Sequence, residues 1–150
     1  MDKDVILSTE NGPKGGDEIN KIEHGKNYGW DIASYGLRYK SGEPYASHKE
    51  NKFQEPIFTF IPSVGISEII KINGDGFNSQ WINNFLIGTL SYNHLLRVKF
   101  DNNFNKVVYV EKIYVGSRIR DLIYIKKINS IVLSSELGIL KILTPSHGIK

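Results

Sequence analysis

From about Ile57 onward, short runs rich in Ile, Val, Leu, Phe and Tyr, some continuous and some alternating with polar residues, are separated by Gly, Asn, Asp and Ser. The runs are Ile57 to Ile61, Ile66 to Ile72, Asn84 to Leu90, His94 to Phe100, Lys106 to Tyr114, Ile119 to Ile125, Ser130 to Ser134 and Leu137 to Leu143. None sustains a 3.6-residue period over helical length, so the pattern predicts strands. Asn73-Gly74-Asp75-Gly76 and Asp101-Asn102-Asn103 lie between runs and tolerate the positive φ that tight hairpins require, so consecutive strands are expected to pair antiparallel. Strands recurring without intervening helices predict an all-β sandwich, barrel or set of propeller blades. Ile66 to Tyr114 makes one four-strand unit and Ile119 to Leu143 most of another.

The first third reads differently. Gly12, Pro13, Gly15, Gly16, Gly25, Gly29, Gly36, Gly42 and Pro44 interrupt every potential element, so residues 1–56 are expected to be mostly loop and residues 57–145 to hold the strands. Long loops in a compact domain are often functional or disordered. The aromatic side chains among the glycines (Tyr28, Trp30, Tyr35, Tyr39, Tyr45) argue against disorder, because such surfaces seek burial. Trp30 and Trp81 are read as packing residues.

A length of 150 residues permits one domain with its own core. The net charge of +3 comes from 19 Lys and Arg against 16 Asp and Glu, interspersed along the chain, which is the pattern of a solvated surface. No nucleic-acid-binding spacing is present, and the basic pair Lys126-Lys127 falls in an expected turn, so no nucleic-acid partner is expected. With no cysteine, disulfides, zinc-thiolate sites and thiol catalysis are excluded, and any redox chemistry must come from a bound cofactor. No apolar run is long enough to span a membrane, and Met1-Asp2-Lys3-Asp4 is unlike a secretory signal.

Two segments could carry chemistry. Glu10 to Glu18 places carboxylates around a glycine-rich turn whose carbonyls could be exposed, a combination that suits calcium; the alternative is a surface turn followed by a strand with solvated acids. Arg118-Ile119-Arg120-Asp121 puts two guanidinium groups on one face of a predicted strand, where each could grip a carboxylate through a bidentate fork. Alternatively the pair binds Asp121 or acids on a neighbouring strand. Asn73 to Gly76 looks superficially like a calcium loop but lacks the closing acid. His24, His48, His94 and His147 are scattered and are assigned no role.

The run Gly12-Pro13-Lys14-Gly15-Gly16-Asp17-Glu18-Ile19-Asn20, followed by Gly25 to Trp30, Tyr35-Gly36-Leu37-Arg38-Tyr39, Glu55-Pro56, Phe85 to Gly88 and Arg118 to Asp121, resembles the glucose/sorbosone dehydrogenase family, especially its aldose sugar dehydrogenases. The likeness covers nearly the whole chain in family order. It implies a six-bladed β-propeller of which this chain supplies roughly the C-terminal half. It also implies an oxidoreductase, or quinoprotein, that uses pyrroloquinoline quinone (PQQ) and calcium to oxidise the anomeric carbon of aldose sugars to lactones.

By the same resemblance, Glu18 and the backbone of Tyr28 match calcium ligands, and the carbonyls of Gly12 and Pro13 match ligands of the calcium that contacts PQQ. Tyr39, Thr89, Leu90, Ser91, Arg118 and Arg120 match cofactor-contacting positions. Ser91 stands where relatives often carry a lysine, which shifts the grip on PQQ toward the arginine pair. The family's proton-accepting histidine lies in the N-terminal half, so no catalytic base is assigned and the chain is expected to be inactive without the missing N-terminal blades. Open blade edges would favour oligomers. The resemblance implies a periplasmic or secreted location. The rival expectation is a non-enzymatic, propeller-derived binding module or degenerate fragment.

Overall fold

The computed structural model describes residues 5–73 and 76–145. Gly74 and Asp75 of the expected Asn73 to Gly76 turn, His147 and residues 1–4 lie outside the described residues. The strands are β1 (Ile6–Glu10), β2 (Asp17–Ile22), β3 (Phe58–Phe60), β4 (Ile66–Lys71), β5 (Phe85–Thr89), β6 (His94–Phe100), β7 (Val107–Tyr114), β8 (Ile119–Ile125), β9 (Ser130–Ser135) and β10 (Leu140–Leu143). They form three separate sheets, ordered β1-β2-β3, β4-β5-β6-β7 and β10-β9-β8. Each sheet uses strands consecutive in the chain, as propeller blades do. The all-β, blade-type expectation therefore holds, and among the described residues the helical elements are short 3-10 turns at Ser79–Trp81 and Lys126–Ile128.

β6 and β8 coincide with their predicted runs. The run predicted from Leu137 shortens to Leu140–Leu143, because Gly138 adopts φ 71° in the turn that joins β9 to β10. Within the first third, expected to be mostly loop, the glycine-broken stretch nevertheless contains the strands β1 and β2. Their register runs from Ile6 opposite Ile22 to Glu10 opposite Glu18, so the glycines after Glu10 close a hairpin instead of breaking an element. Lys14, Gly15 and Gly16 take φ of 41°, 108° and 74° in that loop. The backbone there is too close for side chains: a Cβ on Gly12 would lie 2.3 Å from the Gly16 carbonyl oxygen, and one on Gly36 would lie 1.9 Å from that of Pro13.

The chain divides into two compact units, residues up to Ile66 with Phe100–Val107, and Ser67–Lys99 with Val108 onward. In the second unit, Ile72, Leu86, Leu95, Ile119, Leu122, Ile131 and Leu133 form one buried cluster joining β5, β6, β8 and β9. Each such side chain stabilises the fold by about 1.5 to 3 kcal/mol when fully buried, so aliphatic packing dominates here. Gly88 lets β5 approach β8, since a Cβ there would lie 2.4 Å from Ser67 Oγ and 2.8 Å from Ile119 Cγ2. Leu140 and Ile142, two apart on β10, are 69% and 62% exposed and leave an apolar row uncovered.

The first unit holds a different kind of centre. Asp17, fully buried at the start of β2, accepts hydrogen bonds from Gly12 N (2.9 Å) and Ser63 Oγ (2.6 Å) on one oxygen. Its other oxygen accepts from Val64 N and Ile66 N, each at 2.9 Å. One carboxylate thus satisfies donors from the glycine-rich loop and from residues 63–66, which lie far from it in sequence. Asp17→Ala strands these donors without a partner, so its urea midpoint should correspond to a loss of about 3 to 5 kcal/mol, whereas Glu68→Ala on an exposed position should change stability by about 0.5 kcal/mol or less. Equal midpoints for the two variants would remove Asp17 from this role.

Candidate functional site

The β1–β2 register places Glu10 directly opposite Glu18. Side chains paired across antiparallel strands share a face, and like charges so placed repel. Both carboxylates line one pocket of about 230 Å³ with Asn11, Gly12, Pro13 and Tyr28. Asn20 on β2 mediates between them, its Nδ2 donating to Glu10 Oε1 at 2.8 Å and to Glu18 Oε2 at 3.4 Å.

Glu18 is buried, and this desolvation pushes its carboxyl up from 4.5 to about 7. The Asn20 hydrogen bond pulls it down, and the Glu10 charge adds to the rise. His48, 1% exposed, brings Nε2 within 3.6 Å of Glu18 Oε1 while its ring stacks on Tyr35 with centroids 5.3 Å apart. The Tyr35 hydroxyl donates to Glu55 Oε2 at 2.7 Å, and that bond raises its pKa to about 12. The reading of Asp17 and Glu18 as solvated acids is therefore corrected: the strand is present, but both acids are buried, on opposite faces of it, because the loop and residues 63–66 supply donors to one and His48 and Asn20 flank the other.

Glu18, Tyr28, Gly12 and Pro13 come together around this one pocket. The Tyr28 ring is pinned there, its hydroxyl accepting from Glu23 N at 2.8 Å and donating to the Lys21 carbonyl at 2.7 Å. The Pro13 carbonyl accepts from Leu37 N at 3.1 Å, which fixes its direction. Among the described residues no group of three or more His, Cys, Asp or Glu could hold a metal ion alone. A hard cation at the pocket would therefore draw on carbonyl and water oxygens besides Glu10 and Glu18, which is ordinary for calcium. The paired, mutually repelling carboxylates, one of them desolvated, fit such an ion because it would relieve both.

In the second unit, Leu90, Ser91 and Arg118 line a cavity of about 600 Å³ with Asn93, Ser117 and Glu136. Arg120 is the extra residue at a bulge where the β8–β9 register shifts between Ile119 and Asp121. With Ile119 fully buried between them, Arg118 and Arg120 both turn outward and reach one acid: Glu136 Oε2 lies 3.0 Å from Arg118 Nη1 and 3.7 Å from Arg120 Nη2. That acid comes from the β9–β10 turn, while Asp121 instead accepts from the amide of the next residue, Leu122 N, at 2.8 Å. The cavity has room for a polyanion, and of the arginine pair Arg118 lines it, with Glu136 on the same wall offsetting that charge.

Three expected contact residues sit differently. Arg120 is not on the cavity lining and meets it only through Glu136 at 3.7 Å. Thr89 is fully buried, its hydroxyl donating to the His94 carbonyl at 2.8 Å and accepting from His94 N at 3.2 Å, so it latches the β5–β6 hairpin. Tyr39 belongs to the first unit, is 71% exposed and lines neither of these pockets. Trp30 also departs from its expected packing role: it is 63% exposed, tilted against Tyr45 at 5.7 Å, and lines the Glu18 pocket. Trp81 does pack, stacked on Phe77 at 5.4 Å with the Arg97 guanidinium 4.9 Å from its ring centre. His48 and Glu136 were not singled out from the sequence, because each meets its partner only through the fold.

The glucose/sorbosone dehydrogenase family model matches residues 1–136. The chain is 34% identical over 127 residues to the aldose sugar dehydrogenase YliI of Escherichia coli (strain K12), covering 79% of this chain and 32% of that protein. It is 30% identical over 118 residues to the uncharacterized protein slr1608 of Synechocystis sp., covering 78% and 28%. Among solved structures, a glucose dehydrogenase superposes with TM-score 0.83 at 30% identity, covering 96% of this chain and 42% of that one. The soluble aldose sugar dehydrogenase from Escherichia coli in its apo form superposes with TM-score 0.81 at 26% identity, covering 93% and 41%. The chain thus spans about a third or less of these curated relatives and about two-fifths of these solved chains.

The buried Glu18 makes stability depend on pH. Its folded pKa of about 7 exceeds the ordinary 4.5, so between those values the folded chain holds a proton that the unfolded chain releases, and stability falls as pH rises through that window. By pH 8 the loss should reach about 3 kcal/mol in chelator-treated buffer. Urea midpoints should therefore show Glu18→Gln more stable than the parent at pH 8 and close to it at pH 5. A parent no less stable at pH 8 than the variant would contradict a desolvated carboxylate.

Proposed function

The chain belongs to the glucose/sorbosone dehydrogenase family, and from that premise we propose that it is the C-terminal portion of a PQQ-dependent, calcium-binding aldose sugar dehydrogenase. The observation that carries this reading is the oxygen-lined pocket where Glu10 and Glu18 face each other beside Gly12, Pro13 and Tyr28. In this reading Glu18, the Tyr28 backbone and the carbonyls of Gly12 and Pro13 hold calcium. Arg118 and Arg120 hold the carboxylates of PQQ, with Leu90 and Ser91 against it, Thr89 fixing the hairpin that presents them, and Tyr39 as a further contact. When bound, the quinone supplies the hydride acceptor and calcium its polarisation, as the sugar's anomeric carbon goes to the lactone.

The protein's own residues then bind and orient. The Asp17 hydrogen bonds fix the loop that carries Gly12 and Pro13, and the Tyr28 hydroxyl bonds fix its backbone. No residue of this chain is assigned the proton acceptor for the anomeric hydroxyl, so activity is proposed to require the blades that make up the rest of the relatives' length. Open edges and the apolar row of β10 would be where further blades, or other copies, dock. A periplasmic or secreted location is part of the proposal; among the described residues no helix is long and apolar enough to cross a membrane.

Thermal unfolding and cofactor absorbance test the assignment. Calcium should raise the melting temperature of the parent at pH 8 but not that of Glu18→Gln. With calcium present, PQQ should bind with a changed absorbance, and Arg118→Ala with Arg120→Ala should weaken it at least about tenfold, as expected when charge-assisted bonds are lost. Absence of any shift in melting temperature or absorbance would favour the non-enzymatic binding module, and a double variant that unfolds with unchanged affinity would make the arginines structural.

A further inference from the structure

We infer that Glu136 is a built-in competitor for the ligand carboxylate of the second unit's cavity, and so sets which anions the arginine pair accepts. The inference rests on the proposed anion-binding role of that cavity and adds to it the residue that governs affinity. Arg118 and Arg120 approach the same oxygen, Glu136 Oε2, so one carboxylate now occupies the position that two forks converge on. Their side chains are 44% and 52% exposed, and that of Glu136 is 32% exposed. Ion pairs so open to water are weakly held and readily exchanged.

The surroundings favour exchange. Glu136 projects from a turn whose backbone is already fixed, Ser135 N donating to the Ile139 carbonyl at 3.0 Å and Gly138 N to the Ser135 carbonyl at 3.2 Å. Release of the arginines therefore needs only side-chain torsions to change, which exposed residues do quickly. Two buried hydroxyls nearby, Ser117 Oγ on the cavity lining and Ser135 Oγ beside Glu136 in the chain, have no hydrogen-bond partner among the described residues. Buried polar atoms are seldom left so. A ligand bearing a single weak anionic group gains little over Glu136, whereas one with several carboxylates can displace it and use both forks at once.

Calorimetric titration of the parent and of Glu136→Gln with PQQ, and separately with pyridine-2,6-dicarboxylate, tests this. The glutamine keeps the shape and removes the charge, so PQQ should bind about three- to tenfold more tightly, and the gain should shrink in 0.5 M salt as screening weakens the competing pair. Glu136→Asp, shorter by one methylene, should show a smaller gain and serves if the glutamine variant folds poorly. Equal or weaker binding of PQQ by the variants, with the parent binding it, would overturn the competitor role and leave the proposed function standing. If PQQ binds neither protein but the dicarboxylate binds Glu136→Gln more tightly than the parent, the competitor role stands and the quinone reading falls. If neither ligand binds any of these proteins, the competitor role is overturned as well.

Discussion

The first unit is organised by one ion. The Asp17 carboxylate is fully withdrawn from water, and its four hydrogen bonds take the place of the solvent it has lost. A buried charge is tolerable only when surrounded this way. The donors are a loop amide, a serine hydroxyl and two further amides, so the position of the glycine-rich loop and that of residues 63–66 follow from satisfying a single side chain. Apolar burial around Ile19, Phe60 and Val64 supports the arrangement, but it does not by itself specify the path of the loop.

The next residue along the strand has the opposite character. Alternation sends Glu18 to the other face of β2 from Asp17, where it meets Glu10 across the sheet. Asp17 is fully partnered, while Glu18 has a long amide contact from Asn20, a backbone hydrogen bond at Tyr35, a histidine beyond hydrogen-bond distance and a like charge beside it. Two adjacent acids of similar chemistry thus separate into one that holds structure and one that remains available. The second unit shows a similar division: an aliphatic cluster forms its core, while among the described residues the arginines beside buried Ile119 pair with the exposed Glu136.

Strands with strong local patterns were legible. The alternating and continuous apolar runs of β6 and β8 fixed their limits, and the two-residue spacing of Arg118 and Arg120 anticipated that they would share a side even though a bulge intervenes. The β1–β2 hairpin was not legible, because β2 carries Asp17, Glu18 and Asn20 where a pattern reader expects apolar residues, and the glycines looked like breakers. Burial of those polar groups depends on donors at residues 63–66 and on His48, none of which has a local signature. The same holds for Glu136, whose significance lies in meeting two arginines from another strand. Membership in the family was legible from ordered motifs, since motif order survives where periodicity does not.

The crowding of Gly12, Gly16 and Gly36 has a consequence for how this segment can diverge. Where a methyl group would fall within 2.5 Å of backbone atoms, no side chain of any kind is admitted, and variation is channelled into the intervening positions. Asn11 and Lys14 are such positions, both exposed, although the left-handed φ of Lys14 and the long hydrogen bond from Asn11 Nδ2 to the Ile66 carbonyl narrow what can replace them. Natural or laboratory drift can therefore retune what surrounds the pocket while the curve of carbonyls beneath it stays the same, which separates the inheritance of a scaffold from the adjustment of its affinity.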